Sequence, residues 1–147
     1  QASLVYPTGL EQVGLYIALQ GGGAYEIWSN THRVNRPRLT GNPFILNVDL
    51  QLVIYRALIE AVSLLLELEA GQICVRTRCG TAGNRRGIVA VVALLDRGCA
   101  LSTDTTHQAV ERLAGRMLAY GGTVHCRGNR LRLVLHEPIT HASPAAA

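Results

Sequence analysis

The sequence contains no lysine: all fourteen basic side chains are arginine, and against ten carboxylates they leave a net charge of +4 at pH 7. A phosphate site built on a lysine is therefore excluded, although an arginine can serve in its place. The arginines form no long block, and a single tryptophan and a single phenylalanine are too few to interleave with them, which argues against nucleic-acid binding and for solvated strand and loop faces. Charged residues make up only 16% of the chain and apolar ones 48%, so the body cannot be disordered. No apolar run approaches the length of a membrane span, and no signal peptide is visible; membrane helices of a parent protein would lie outside this chain. No pair of cysteines has Cys-x-x-Cys spacing, so Cys74, Cys79, Cys99 and Cys126, within or beside apolar runs, read as reduced and mostly buried thiols of a cytosolic protein. A zinc site combining them with His125 or His136 is disfavoured on the same ground.

What is present suits one domain of 147 residues with a continuous core. Leu10, Val13, Gly14, Ile17 and Ala18 fall at helical spacings after Pro7, and the three glycines at 21–23 end that helix. The segment 24–34 reads as a strand, leading into a loop over 35–43. Asn47 is a good N-cap for a long helix over about 48–69, with Asp49 in the first turn, where the helix dipole favours a negative charge. Apolar residues cover nearly every side of that helix, so it must be packed against a sheet. Residues 72–79 alternate, with Ile73, Val75 and Thr77 on one face and Cys74, Arg76 and Arg78 on a wetter one. A turn over 80–87 joins them to a central strand over 88–95. A second amphipathic helix over 108–120 places Val110, Leu113, Ala114, Met117 and Leu118 on one face and stops at Gly121 and Gly122. A hairpin of 123–126 and 131–135 closes the chain, and the order helix, strand, strand, helix, strand, strand predicts a two-layer α/β sandwich.

Several stretches resemble, in order, the C-terminal ATP-binding domain of bacterial sensor histidine kinases, a Bergerat-type ATPase fold, in the branch that includes the nitrate and hexose-phosphate sensors. Pro7, Leu10, Gly14, Leu15, Ala18 and Leu19 stand in register with the family's link out of its dimerisation helices. The helix 53–68 lies where the family has E-A-x-x-N-x-x-K/R-H-A, the segment 96–100 where it has D-x-G-x-G, 107–110 where it has G-x-G-L, and 118–124 and 131–138 match its closing L-G-G-T-V and V-x-L-P. The resemblance covers about residues 4–138. It implies the end of a linker over 1–22, an ATPase-like sandwich over 23–138 and a flexible tail over 139–147.

The same resemblance implies a damaged nucleotide site. In the first box Glu60 and Ala61 match, but the magnesium-holding asparagine falls on Leu64, the basic residue on Glu67 and the histidine on Leu68. Leucine offers a hard cation no oxygen, and a glutamate repels a triphosphate. In the second, Asp96 and Gly98 survive to read adenine, while Ala100 replaces the last glycine. In the third both glycines are gone, and the side chains of His107 and Ala109 would crowd a phosphate. Glu60 is then a vestigial catalytic group, and Asp96, Gly98, Ala100 and His107 a vestigial nucleotide site, with no metal site. Asp96 also reads as an ordinary strand-end turn and His107 as a surface histidine near a helix start.

The implied function is a degenerate, pseudokinase module of two-component signalling. It would work by contacts with its own dimerisation helices or a response regulator, as a homodimer in the full-length protein, in the cytoplasm or at the cytosolic end of a membrane-bound sensor. No nucleic acid and no direct membrane contact are expected. No cofactor is expected, with ATP and Mg²⁺ bound weakly at most, and Leu64 and its neighbours would fill the former ion space. Two rival readings stand beside it: a nucleotide-competent kinase domain in which Arg97 or Arg112 replaces the missing basic group, and an unrelated dimerisation or binding module sharing the sandwich.

Overall fold

The computed structural model describes residues 15, 16, 19, 24–68, 71–95 and 104–137. Its longest element, α2 (Val48–Leu68), begins as the sequence predicts: the Asn47 side-chain oxygen accepts from the Leu50 N–H at 2.9 Å, filling one of the donors a helix start leaves open. At its other end Arg33 donates to the Leu66 carbonyl at 2.9 Å and to Gly71 O at 3.2 Å, placing a cation where the helix dipole is negative. No described helix is long and apolar enough to cross a membrane.

A five-stranded sheet lies against α2 and α3 (Asp104–Leu118) in the order β1-β2-β3-β5-β4. The strands are β1 (Arg38–Thr40), β2 (Ile73–Ala82), β3 (Arg85–Leu94), β4 (Thr123–Arg127) and β5 (Arg130–His136). All neighbours are antiparallel except β1, which runs parallel to β2. The core is the inward face of this sheet, from Ile73 and Val75 through Ile88, Ala90 and Val92 to Leu133, closed by Ile54, Leu58, Ala61 and Leu65 of α2 and by Leu113 and Met117 of α3. Besides Thr77 of β2, Gln51 of α2 is the buried polar residue among those described. It is satisfied on both sides, accepting from Leu15 N–H at 3.1 Å and donating to Leu46 O at 3.0 Å.

Two elements differ in kind from the sequence reading. The expected strand at 24–34 is instead the short helix α1 (Ala24–Ser29), because Ala24 and Trp28, four residues apart, share one buried face. The expected loop at 35–43 contains β1, preceded by a single bridge from Val34 to Ile73 and followed by a 3₁₀ turn over Pro43–Ile45.

The hairpin of β2 and β3 is longer than expected. Pairing continues to Ala82 and Arg85, leaving a two-residue turn in which Gly83 takes φ +63°. Helix α3 ends as read: Gly121 has φ +79° and the Gly122 N–H reaches Met117 O at 2.8 Å, the pattern of a glycine-stopped helix. Leu118, expected on its buried face, is 68% exposed. Of the thiols, Cys79 is buried, Cys74 half-buried and Cys126 exposed, so burial is less general than the sequence suggested. Cys99 and most of the linker helix lie outside the described residues.

Candidate functional site

The 3.6-residue period of α2 sets Val53, Ala57, Glu60, Leu64 and Glu67 along one stripe, and the first three face α3 across a cleft of about 370 Å³. Leu113 and Met117 supply the apolar wall on the α3 side, with Tyr120 at its end. Inside this cleft Glu60 Oε1 lies 2.5 Å from Arg116 Nη1, a charge-assisted hydrogen bond between the two helices. Glu60 retains a third of its exposure and Arg116 two thirds, so the pair fixes geometry more than it stabilises the fold.

One turn beyond Glu60, Leu64 is half-buried and packs against the core, and Glu67, a turn further, is exposed. The described part of this stripe therefore offers a triphosphate two carboxylates, one already paired with an arginine, and offers a magnesium ion a leucine between them. Among the described residues no three His, Cys, Asp or Glu side chains converge as a metal site. These residues do not fit a Mg²⁺–triphosphate.

The remaining candidates separate. His107 is exposed on α3, its Nε2 3.1 Å from Glu111 Oε2 one turn along, an intrahelical pair that exists as an ion pair only when the imidazole is protonated. No described contact brings it to Glu60. Asp96, Arg97, Gly98 and Ala100 lie outside the described residues, and of Leu68 only the backbone is described. Arg116 went unread in the sequence, where Arg97 and Arg112 were the expected replacements for the lost basic group. Its place one turn after Arg112, beside the buried Met117, was the available signal that it borders the interhelical face.

Tyr16, Tyr55 and Cys79 carry titration shifts of one origin. Burial pushes all three up; Tyr16 is raised further by its neighbour Cys79, while Cys79 is partly relieved by the Tyr16 hydroxyl and Tyr55 by a backbone hydrogen bond from Ala24. The Tyr16 hydroxyl donates to the Thr40 carbonyl. These groups lock β1 and α1 against the body, away from the cleft.

No family model matches the sequence, and no curated protein matches it either. Solved structures do. The catalytic domain of histidine kinase ThkA in a nucleotide-free form is 12% identical over 84% of this chain and 88% of that one, with a TM-score of 0.50. The histidine kinase AdeS of Acinetobacter baumannii is 13% identical over 80% of this chain and 60% of its own, with a TM-score of 0.49. The histidine kinase domain of a blue-light activated kinase from Erythrobacter litoralis is 12% identical over 90% and 69%, with a TM-score of 0.47, and the chain spans 48% of a longer form of that kinase. At such identities the likeness bears on fold alone: the chain folds as a two-layer α/β sandwich of the histidine-kinase ATPase type.

Proposed function

We propose that this domain is a degenerate histidine-kinase ATP-binding module of two-component signalling, acting through protein contacts with dimerisation helices or a response regulator. The observation that carries this is the state of α2: Leu64 packs against the core where the family places its magnesium-holding asparagine, and Glu60 is held by Arg116. A general base must be free to approach the proton it takes, and a phosphate site must present positive charge. Along this stripe of α2 the carboxylate is paired and the next exposed group is Glu67. The nitrate and hexose-phosphate branch rests on the sequence motifs alone.

Calorimetric titration of the whole chain with ATP and Mg²⁺ tests the reading. We expect no heat of binding at micromolar nucleotide, and any residual binding should discriminate poorly between ATP, ADP and adenosine. Micromolar affinity that depends on Mg²⁺ overturns it. Such a result would favour a competent, substituted site, for which the cleft beside Glu60, large enough for a small ligand, is the supporting observation.

A further inference from the structure

The face of the sheet turned away from the helices has an organised chemistry of its own. The strand registers place Arg38, Arg76, Val91, Arg132 and His125 in one row straight across all five strands. The next row runs Thr40, Arg78, Val89, Val134 and Thr123, and on the other side Cys74, Ala93, Arg130 and Arg127 continue the pattern. Val89, Val91 and Ala93 thus form an apolar stripe along the central strand, half-buried, with exposed arginines on β2 to one side and on β5 to the other. Not one aspartate or glutamate occurs in the five strands. The described Glu137, just after β5, turns inward to Arg86 at 4.0 Å. Among the described residues Arg38, Arg76, Arg78 and Arg132 have no ion-pair partner.

Like charges set side by side in a sheet repel, so this arrangement is improved by an anionic partner. Its spacing says which kind. Two strand intervals separate β2 from β5, about 10 Å, close to the diameter of an α-helix. The twisted face is also concave, enclosing about 650 Å³ between Arg38, Arg78, Val91 and Arg132. We propose that the open face of the sheet is a docking surface for an acidic amphipathic helix of another protein, its apolar stripe laid along Val89, Val91 and Ala93 and its flanking carboxylates paired with the arginines of β2 and β5.

A second copy of this chain would oppose arginine with arginine. Within the chain itself, the segments outside the described residues hold too few acids, three scattered ones: Glu11, Glu69 and Asp96. A single-stranded nucleic acid would find no phenylalanine, tyrosine or tryptophan to stack on, since the five strands contain none, and its phosphates would gain nothing from a valine stripe. Arginine, with its planar fork, is the residue suited to bidentate carboxylate pairing.

The test uses three fluorescein-labelled twenty-residue peptides and the whole chain, with fluorescence anisotropy as readout. One peptide is helical with a leucine stripe flanked on both sides by glutamate; one has lysine in place of every glutamate; one keeps the glutamate composition but scrambles the stripe. The first should bind at least tenfold more tightly than either of the others, and amide shifts on titration should cluster on β2, β3 and β5. Arg76→Glu with Arg132→Glu should weaken it at least tenfold, while Arg112→Glu on α3 leaves it unchanged; circular dichroism verifies the fold of each variant. Equal binding of the scrambled acidic peptide, tighter binding of a twenty-nucleotide single-stranded DNA, no binding of the first peptide at 100-micromolar order, or shifts confined to the helices would each overturn the proposal. The wild-type shift map decides even if the variants fail to fold, and none of these outcomes depends on whether ATP binds.

Discussion

The two faces of the sheet are cut from the same strands, residue by residue in alternation, yet they obey different rules. On the helix side Ile88, Ala90, Val92 and Leu94 of β3 are all buried, and every neighbour is apolar or neutral. On the other side Val91 sits half-covered between Arg76 and Arg132, and Val89 between Arg78 and Val134. The first face holds the fold together, and substituting it should be costly; the second contributes little to stability and is available for contact. The cleft between α2 and α3 lies in the helix layer, walled by the core residues Leu113 and Met117.

The sharpest way to break this contrast is a matched pair of truncations. Leu133→Ala removes a fully buried side chain from the helix face and should cost about 2–5 kcal/mol, whereas Val91→Ala on the open face should cost less than about 1 kcal/mol. Denaturant unfolding of both measures it, and equal costs would mean that the open face is covered in the free protein. A smaller effect is expected on α2. Leu64 is half-buried rather than enclosed, so Leu64→Asn should cost about 1 kcal/mol, and Glu67→Lys, exposed, should stay within about 0.5 kcal/mol. If the asparagine variant proved neutral and also gained Mg²⁺-dependent nucleotide binding, the cleft would be an intact site one substitution from use.

Near neutrality the smallest response is to pH itself. Cys79, Tyr16 and Tyr55 are raised by burial, so the folded state holds their protons more firmly than the unfolded chain, where the ordinary values are 9.0 for the thiol and 10.0 for the phenols. Their contribution is fully present below those values and is lost as pH rises above them. Unfolding free energy measured against pH should therefore be flat in this respect through neutrality and fall above about pH 9. A curve that stays flat there would show that these groups are not buried in solution.

Much of this architecture was legible from periodicity, and the parts that were not share a cause. Helix α2, the two hairpins and α3 each carry their own pattern over enough residues to identify it. The six residues of α1 bury only Ala24 and Trp28, too little for a period to show. Strand β1 is three residues whose strand character comes from pairing with Arg76, Thr77 and Arg78, nearly forty positions away. The candidate site was legible by type and not by partner. The positions of Leu64 and Glu67 on α2 follow from its period, but the meeting of Glu60 with Arg116 depends on how two helices pack. The alternation of Cys74, Arg76 and Arg78 gave a wetter face. That Arg76 lines up with Arg38 of β1 and Arg132 of β5 appears only once register is known.

Strand β1 also bears on whether molecules of this protein can grow onto one another. Without it, β2 would present a ten-residue row of unpaired N–H and C=O groups, a template for adding a strand from a second molecule. The backbone of residues 33–35 bonds to Ile73, with Asn35 N–H to Ile73 O at 2.8 Å, and β1 covers Arg76 to Arg78. The chain then turns off at Gly41, where φ is +85° and any Cβ would stand 2.0 Å from the Cys79 carbonyl oxygen. Only a glycine lets the covering segment come that close before it leaves. What remains open along that edge is the stretch 80–82 at the hairpin tip, beside the charges of Arg85 and Arg86. The far edge, β4, is five residues long with exposed His125, Cys126 and Arg127. This edge of the sheet is thus covered by a three-residue strand whose position depends on a single missing methyl group.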